Sequence, residues 1–338
     1  MVDYPSSMLF RRTPTHQVVT IGDSVLDTFL RIEEATVACQ IKKDDCLLCF
    51  KFGEKLPLKS ITRIPAAGNA SNIAIGASRL GWNAAIVSIL GQDAIGQEIL
   101  QRWKAEGVQT RYVTHDTKQP TNAHTVLAFQ DERTILVYHQ PRTYVLPKLK
   151  STSWIYYTSL AKGHENMEKE LLHWLAEHPE TKLAFNPGTF QLQRGLKKLL
   201  PVLDHCHALF VNKQEAQRLL ATQEDDVRLL LSGLRRHGPQ IVVITDGPSG
   251  SWSFDGQTVL ACPAFPGKAV ERTGAGDSFA LGFIHGLQET GSVSEGMRHG
   301  SAISSCVILK IGPHAGLPTK QELQQILKKH HKLQPKKL

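Results

Sequence analysis

The sequence predicts an α/β protein with a mostly parallel central sheet, as one large domain or one with a small appendage. Three observations lead there. Short apolar runs that end at Gly, Asn or Thr-Asp alternate with stretches of helical spacing, as buried parallel strands with crossover helices do. Examples are Val18 to Gly22, Ala208 to Asn212 and Ile241 to Asp246. Two patches rich in strand formers, at about 31–65 and 120–140, interrupt that alternation. Near the C-terminal end, Gly274-Ala275-Gly276-Asp277 runs straight into apolar residues at helical spacing, a tight turn that opens a helix.

The elements follow in order. Val18-Val19-Thr20-Ile21 reads as a buried strand ending at Gly22, and Asp23 and Asp27 then fall at the C-terminal edge of the sheet, where α/β folds bind ligands. In the first patch Thr36 to Ile41 and Leu47 to Phe52 alternate; in the second, Thr125 to Phe129 and Thr134 to Val137 flank Gln130-Asp131-Glu132-Arg133 as a hairpin. Ala66 to Ala74 opens a helix that closes at Leu80-Gly81. Asn83 to Leu90 is a strand, followed by a helix to Glu106. Trp154 to Thr158, a helix from about Met167 to His178, and Lys182 to Asn186 continue the alternation. Asn212-Lys213-Gln214-Glu215 has the spacing of an N-cap and its capping-box partner. Asp255-Gly256 marks a hairpin between Ser251 and Ala261, and helices run from Asp277 to about Leu287 and from Ser294 to Lys310.

Length and charge narrow the function. A chain of 338 residues buries a substantial core. The net charge of +8 suggests nucleic acid at first, but Lys328, Lys329, Lys332, Lys336 and Lys337 crowd the segment 328–338, which reads as a solvated, frayed basic tail. No stretch reaches the run of about 18 apolar residues that spans a membrane, and Met1 to Gln17 lacks the apolar centre of a signal peptide. Six cysteines do not make a disulfide scaffold at this length, and Cys46-Leu47-Leu48-Cys49 is half a zinc knuckle without its second half. The thiols are read as structural and the compartment as reducing and cytoplasmic. The fifteen histidines show no metal-ligand spacing.

The chemistry concentrates at the glycine turn. Gly274 and Gly276 let backbone approach a ligand, and the first-turn amides and dipole of the helix receive an anion, most often phosphate. A carboxylate at Asp277 would repel that anion unless it serves as a base beside a phosphate under attack. The run Thr273 to Asp277 resembles the C-terminal signature of the ribokinase-like (PfkB) family of carbohydrate and nucleoside kinases. The resemblance extends from about Val18 to Leu327 and joins five motifs in order.

What the resemblance implies is specific. Asp277 would be the base, with Gly274, Ala275 and Gly276 forming the anion hole. Asp27, with Asp23 as a neighbour of open role, would grip two hydroxyls of the acceptor, and Gly68, Asn69 and Asn72 would contact it; Ala67 stands where the family has a glycine. Asn212, Thr245, Gly247, Gly250 and Gly312 would lie along ATP, and Glu215 would order Mg2+ through water. The fold implied is a three-layer α/β/α domain with a mostly parallel central sheet and a small β-sheet lid; the two strand-rich patches would be that lid, which excludes water from the reaction. Glu271-Arg272 replaces the family's usual Asp-Thr, so Glu271 either holds a K+ ion or pairs with Arg272. A homodimer through the lid is the expected assembly.

The predicted activity is therefore phosphoryl transfer from ATP to a hydroxyl of a sugar, with a nucleoside as the alternative acceptor. Lys42, Lys43 and Arg63 are the lid cations at hand, and no cluster near Asp27 or Asn72 suits a second phosphate, so an unphosphorylated acceptor is expected. Phe50, Phe52, Phe129 and Tyr138 either stack a nucleobase or pack the lid. Two rival readings remain: a ligand-binding protein on the same fold without turnover, and a nucleic-acid binder using the basic tail. No nucleic acid or membrane partner is expected, and no Walker P-loop, protein-kinase or zinc-protease motif is present.

Overall fold

The computed structural model describes residues 14–39, 46–130, 132–267 and 269–338. Lys42, Lys43, Asp131 and the stretch 1–13 of the N-terminus lie outside the described residues. In chain order the elements are β1 (His16–Ile21), β2 (Val25–Ile32), β3 (Thr36–Cys39), β4 (Cys46–Cys49), β5 (Leu58–Ala67), α1 (Asn69–Arg79), β6 (Ala84–Gly91), α2 (Ala94–Ala105), β7 (Gln109–Asp116), β8 (Ala123–Phe129) and β9 (Glu132–Tyr138). There follow β10 (Thr152–Tyr157), α3 (Glu165–Glu177), β11 (Lys182–Phe185), α4 (Thr189–Gln193), α5 (Leu196–Asp204), β12 (Cys206–Asn212), α6 (Lys213–Leu220), α7 (Val227–Arg235) and β13 (Ile241–Thr245). The chain ends with β14 (Ser251–Phe254), β15 (Val259–Cys262), α8 (Ala275–Thr290), α9 (Val293–Val307), α10 (Lys320–Lys329) and β16 (Lys336–Lys337).

The central sheet has the order β16-β15-β14-β13-β12-β11-β10-β1-β6-β7, with the run from β13 to β7 parallel and β14 to β16 antiparallel at one edge. Alternate residues of each parallel strand feed opposite faces. Val18, Trp154, Tyr156, Ala184 and Phe210 join a core with α1, α2, α8 and α9, whereas Val19, Ile155, Tyr157, Phe185 and Val211 join one with α3, α5, α6 and α7. Both faces are thus covered, which is why these strands read as continuous apolar runs. The chain leaves β1 toward β6 on one side and returns to β10 on the other, so strand order reverses between β1 and β10. A crevice opens at such a switch point, beyond the C-terminal ends of the strands. Gly22, Asp23 and Thr158 stand at its mouth: Thr158 N donates to Ile21 O and Asp23 N to Ser159 O.

The lid is a second sheet in the order β5-β2-β8-β9. Its central strand β2 was not anticipated, because Val25 to Asp27 reads as the loop after β1. The structure carries the chain directly into the lid, so Asp27 sits on a strand, paired with Ile64 and His124. Thr36 to Cys39 and Cys46 to Cys49, expected in the lid sheet, form a separate two-stranded ribbon. The reading of the thiols as reduced needs correction there: Cys39 and Cys46 are direct cross-strand partners with Cα atoms 4.0 Å apart, joined by a disulfide. Only the register of the ribbon brings them together, and spacing does not reveal it.

The basic tail also differs from expectation. Lys336 and Lys337 pair with Ala261 and Leu260 as the edge strand of the main sheet, Leu333 packs on the core, and the His330 ring lies edge-on to Phe265 at 5.3 Å. Apolar anchors among the lysines hold the tail in place. Among the described residues no helix is long and apolar enough to cross a membrane.

Candidate active site

The helix α8 begins at Ala275, two residues before the expected Asp277. Gly274 caps it with φ 77° and ψ 4°, a left-handed conformation that a side chain disfavours, and a Cβ there would press on Pro313. Gly276 faces open space, with no atom within 4 Å of where a Cβ would stand. Ala275 and Gly276 line a cavity of about 640 Å³ together with Arg272, Thr245, Gly247 and Gly250. Phe265, Phe279, Ser304 and Ile308 supply an apolar and hydroxyl-bearing wall. Ala275 N donates to Arg272 O at 3.2 Å, and the other first-turn amides at the rim of such a cavity can cradle a phosphate.

Asp277 lies in that first turn and is 7 % exposed. Burial pushes its carboxyl up to about 6, opposed by a hydrogen bond from Asn72. Asn72 Nδ2 donates to Asp277 Oδ2 at 2.7 Å, and Asn72 Oδ1 faces His314 Nε2 at 2.9 Å. Both polar ends of Asn72 are thus engaged, which ties it to Asp277 as well as to the turn that the resemblance places at the acceptor.

The end of the crevice where the sequence reading expects the acceptor is assembled from side chains. Asp27 is 6 % exposed on β2, and its Oδ1 is buried without a hydrogen bond among the described residues, 3.4 Å from His124 Nδ1. An unpaired carboxylate oxygen is costly to bury unless a ligand completes it. Asp23, by contrast, is consumed by the fold: Tyr144 Oη donates to it at 2.8 Å and Ala161 N at 2.8 Å. Burial raises its carboxyl to about 6 against those bonds. His139 stacks on His124 with ring centroids 5.0 Å apart, and desolvation lowers His139 to about 4; the two rings stand beside Asp23 and Asp27, 3.8 and 3.4 Å from their carboxylates. Gly68, with φ 101°, passes so close to the Asp23 carbonyl that a Cβ would collide with it. Asn69 Nδ2 donates to Asn186 Oδ1 at 3.3 Å. One turn, Gly68 to Asn72, therefore touches the acceptor end on one side and Asp277 on the other.

Asn212 and Glu215 form a reciprocal capping box at the start of α6, with bonds of 2.8 Å each way. Burial, followed by the charge of Asp277, raises Glu215, so the two carboxylates share one electrostatic environment. Among the described residues no group of three His, Cys, Asp or Glu could hold a metal. This donor set fits Mg2+ held chiefly by phosphate oxygens and water, with Glu215 as one carboxylate. Asn212 itself pairs in the sheet with Thr245, which lines the cavity.

Glu271 does not fit a K+ site. Thr273 N and Oγ1 donate to its Oε1 at 2.7 and 2.6 Å, Gly312 N approaches Oε2 at 3.3 Å, and Arg133 Nη1 lies 3.3 Å from Oε1. Donors surround this carboxylate, whereas a cation needs acceptors. Its ionic partner is Arg133 from the lid, in place of the Arg272 considered from sequence. Gly312 is engaged here, against Ile64 of the lid, and is not among the cavity-lining residues.

Sequence reasoning missed Arg133, His124, His139, Asn186 and Tyr144. Each reaches the site through sheet register or a long loop, and none stands in a motif. His314 was visible in the turn Lys310 to His314, but without a role.

The comparisons with known proteins agree with this geometry. Residues 32–320 match the model of the pfkB family of carbohydrate kinases, and the chain belongs to that family. A ribokinase from Bacillus subtilis is 28% identical over 285 residues, covering 82% of this chain and 92% of that protein. An Arabidopsis thaliana ribokinase, solved with ribose and ATP, superposes with TM-score 0.76 at 20% identity, over 93% of this chain and 99% of the other. A Burkholderia thailandensis nucleoside kinase, solved with inosine, superposes with TM-score 0.73 at 18% identity, over 93% and 99%. The architecture is the ribokinase fold.

Proposed function

We propose that this protein is an ATP-dependent kinase that phosphorylates a hydroxyl of a small, unphosphorylated sugar. The observation that carries the reading is Asp277, a buried carboxylate in the first turn of α8, next to Gly276, which lines the cavity of about 640 Å³. With a carboxyl raised to about 6, it is ionised at neutral pH and basic enough to take a proton. In the proposed reaction Asp277 accepts the proton of the acceptor hydroxyl as that oxygen attacks the γ-phosphorus and the bond to ADP breaks. The amides of Gly274 to Gly276 stabilise the charge on the transferring group. Thr245, Gly247 and Gly250 hold the nucleotide along the cavity. Magnesium, when bound, would neutralise the phosphate oxygens, with Glu215 and Asn212 orienting its water shell. Asp27 would take two acceptor hydroxyls through charge-assisted bonds, and its unsatisfied Oδ1 supports that role.

An unphosphorylated acceptor is favoured because the nearby arginines are occupied. Arg63 pairs with Glu98 at 2.7 Å, Arg133 with Glu271, and Arg142 with Asp116 at 3.0 Å. Phe50, Phe52 and Tyr138 are exposed, 40%, 105% and 54%, which removes support for a base stacked on them. A nucleoside acceptor is supported instead by the stacked His124–His139 pair beside Asp27. The exposed Ile135, Leu136, Val137 and Tyr138 of β9 support a homodimer through the lid, and light scattering should give twice the monomer mass.

An ATP-consumption assay over free sugars, sugar phosphates and nucleosides tests the reading. A free sugar should give the highest kcat/KM. Turnover of nucleosides alone would establish the alternative, and no turnover with any acceptor, despite nucleotide binding, would favour a ligand-binding protein.

A further inference from the structure

We infer that His314 is a positioning residue for the reaction: its Nε2–H locks the side-chain amide of Asn72 in the one orientation that donates to Asp277. This rests on the reading of Asp277 as the base. Asn72 is 4 % exposed and His314 3 %, so neither has water as a ready alternative partner. An amide has two ends of nearly equal shape, and its orientation is set by its partners. An ionised Asp277 accepts only, so it requires the Nδ2 end of Asn72, found at 2.7 Å. The Oδ1 end then points at His314 Nε2, 2.9 Å away, and needs a donor there. This assigns the proton of the neutral imidazole to Nε2. The opposite tautomer would accept at Nε2, turn the amide over and place a carbonyl oxygen against the carboxylate.

The imidazole is built to stay neutral and in place. Its loop is gripped by α1 two turns below Asn72, where Arg79 Nη1 donates to His314 O at 2.6 Å and to Leu317 O at 3.2 Å. Arg79 is held in turn by Glu106, at 2.9 and 2.7 Å, with Arg102 also on Glu106 at 2.7 Å. Burial, then the charges of Arg102 and Arg79, against that of Glu106, lowers His314 to about 3. It therefore carries no charge at any pH where the enzyme would work. Its effect on Asp277 runs through the Asn72 dipole. The other charged or titratable groups that face Asp277 are Glu215 and Tyr156, from α6 and β10.

The acidic limb of the kcat–pH profile should then depend on a residue two hydrogen bonds from the base carboxylate. His314→Leu fills the space and removes the donor, so Asn72 can turn over and the ionised base loses its bond. His314→Gln returns a side-chain N–H donor. The leucine variant should move the acidic limb toward higher pH and lower kcat about tenfold on that limb, with little change in the KM for ATP. The glutamine variant should recover most of both effects, and thermal melts check that both variants fold. An active wild type whose leucine variant keeps its acidic limb would overturn the inference, as would equal shifts in both variants. An inactive wild type would instead overturn the assignment of Asp277. If the leucine variant does not fold, Asn72→Asp in the wild-type background replaces the donor by a carboxylate and should raise the limb further; an unchanged limb overturns the inference.

Discussion

The two ends of the crevice are made of different material. At the proposed nucleotide end the groups on offer are backbone: the first turn of α8, the left-handed Gly274 and the open Gly276, set on a helix whose residues 277–287 are all buried. At the proposed acceptor end they are side chains, Asp27, His124 and His139, presented by a lid whose edge strand β9 is exposed along its length. A backbone site comes with the helix and resists change; a side-chain site can be re-specified one residue at a time. Conserving the donor chemistry while leaving the acceptor open to variation is what this division permits, and it fits a family whose relatives act on different acceptors.

The comparison can be broken most sharply at Asp277. Asp277→Asn should reduce turnover by about 10²–10⁴-fold, the scale of general base catalysis, with ATP affinity unchanged. The same change should stabilise the fold at pH 8. Burial raises the folded-state value from 3.8 to about 6, so the native state is penalised for ionising and this group's contribution to stability is lost as pH rises through 6. Removing the charge should return up to about 3 kcal/mol, visible as a higher melting temperature at pH 8 and vanishing near pH 4.

Asp27→Ala should act at the other end. Losing a carboxylate that holds two hydroxyls should cost about 2–4 kcal/mol of acceptor binding and leave ATP binding as it was. Equal losses in both affinities would dissolve the distinction between the ends.

Arg133→Gln sharpens the comparison where the two ends meet, since Arg133 ties β9 to the turn before the anion hole. A partly exposed pair contributes roughly 0–1 kcal/mol, so transfer should fall by at most about fivefold. ATP hydrolysis without acceptor should rise relative to transfer as the lid loses a tether. The smallest effect belongs to monovalent cations: with Arg133 and three donors on Glu271, replacing K+ by Na+ should change the rate by less than about twofold. A strict K+ requirement would show that the Arg133 contact opens in solution.

The same division explains what could be read in the sequence. Helix starts and glycine turns are local, so α8, the capping box at Asn212–Glu215, the hairpin at Asp255-Gly256 and the alternation of the main sheet were legible. Asp27 was legible as a residue but not as a strand position, because β2 begins only three residues after Gly22 and no turn signal longer than Asp23-Ser24 separates it from β1. The His124–Asp27 contact depends on the parallel pairing of β2 with β8, almost a hundred residues apart, and local pattern carries no register of that kind. His314 was hidden for another reason. A lone histidine after Gly-Pro is unremarkable until the fold buries it against Asn72. The tail lysines misled because charge density was weighed above Leu333, which packs on the core just before the last strand.

The division of labour itself is tested by single-turnover phosphoryl transfer, followed by rapid quench across a range of acceptor concentration, for Asp277→Asn and Asp27→Ala side by side. The account predicts that Asp277→Asn lowers the plateau rate by about 10²–10⁴-fold while half-saturation stays within about twofold of wild type. Asp27→Ala should move half-saturation by the larger factor and hold most of its plateau. If Asp277→Asn kept more than about a tenth of the wild-type plateau, the carboxylate at the mouth of α8 would not be the base, and the account would be contradicted at its centre.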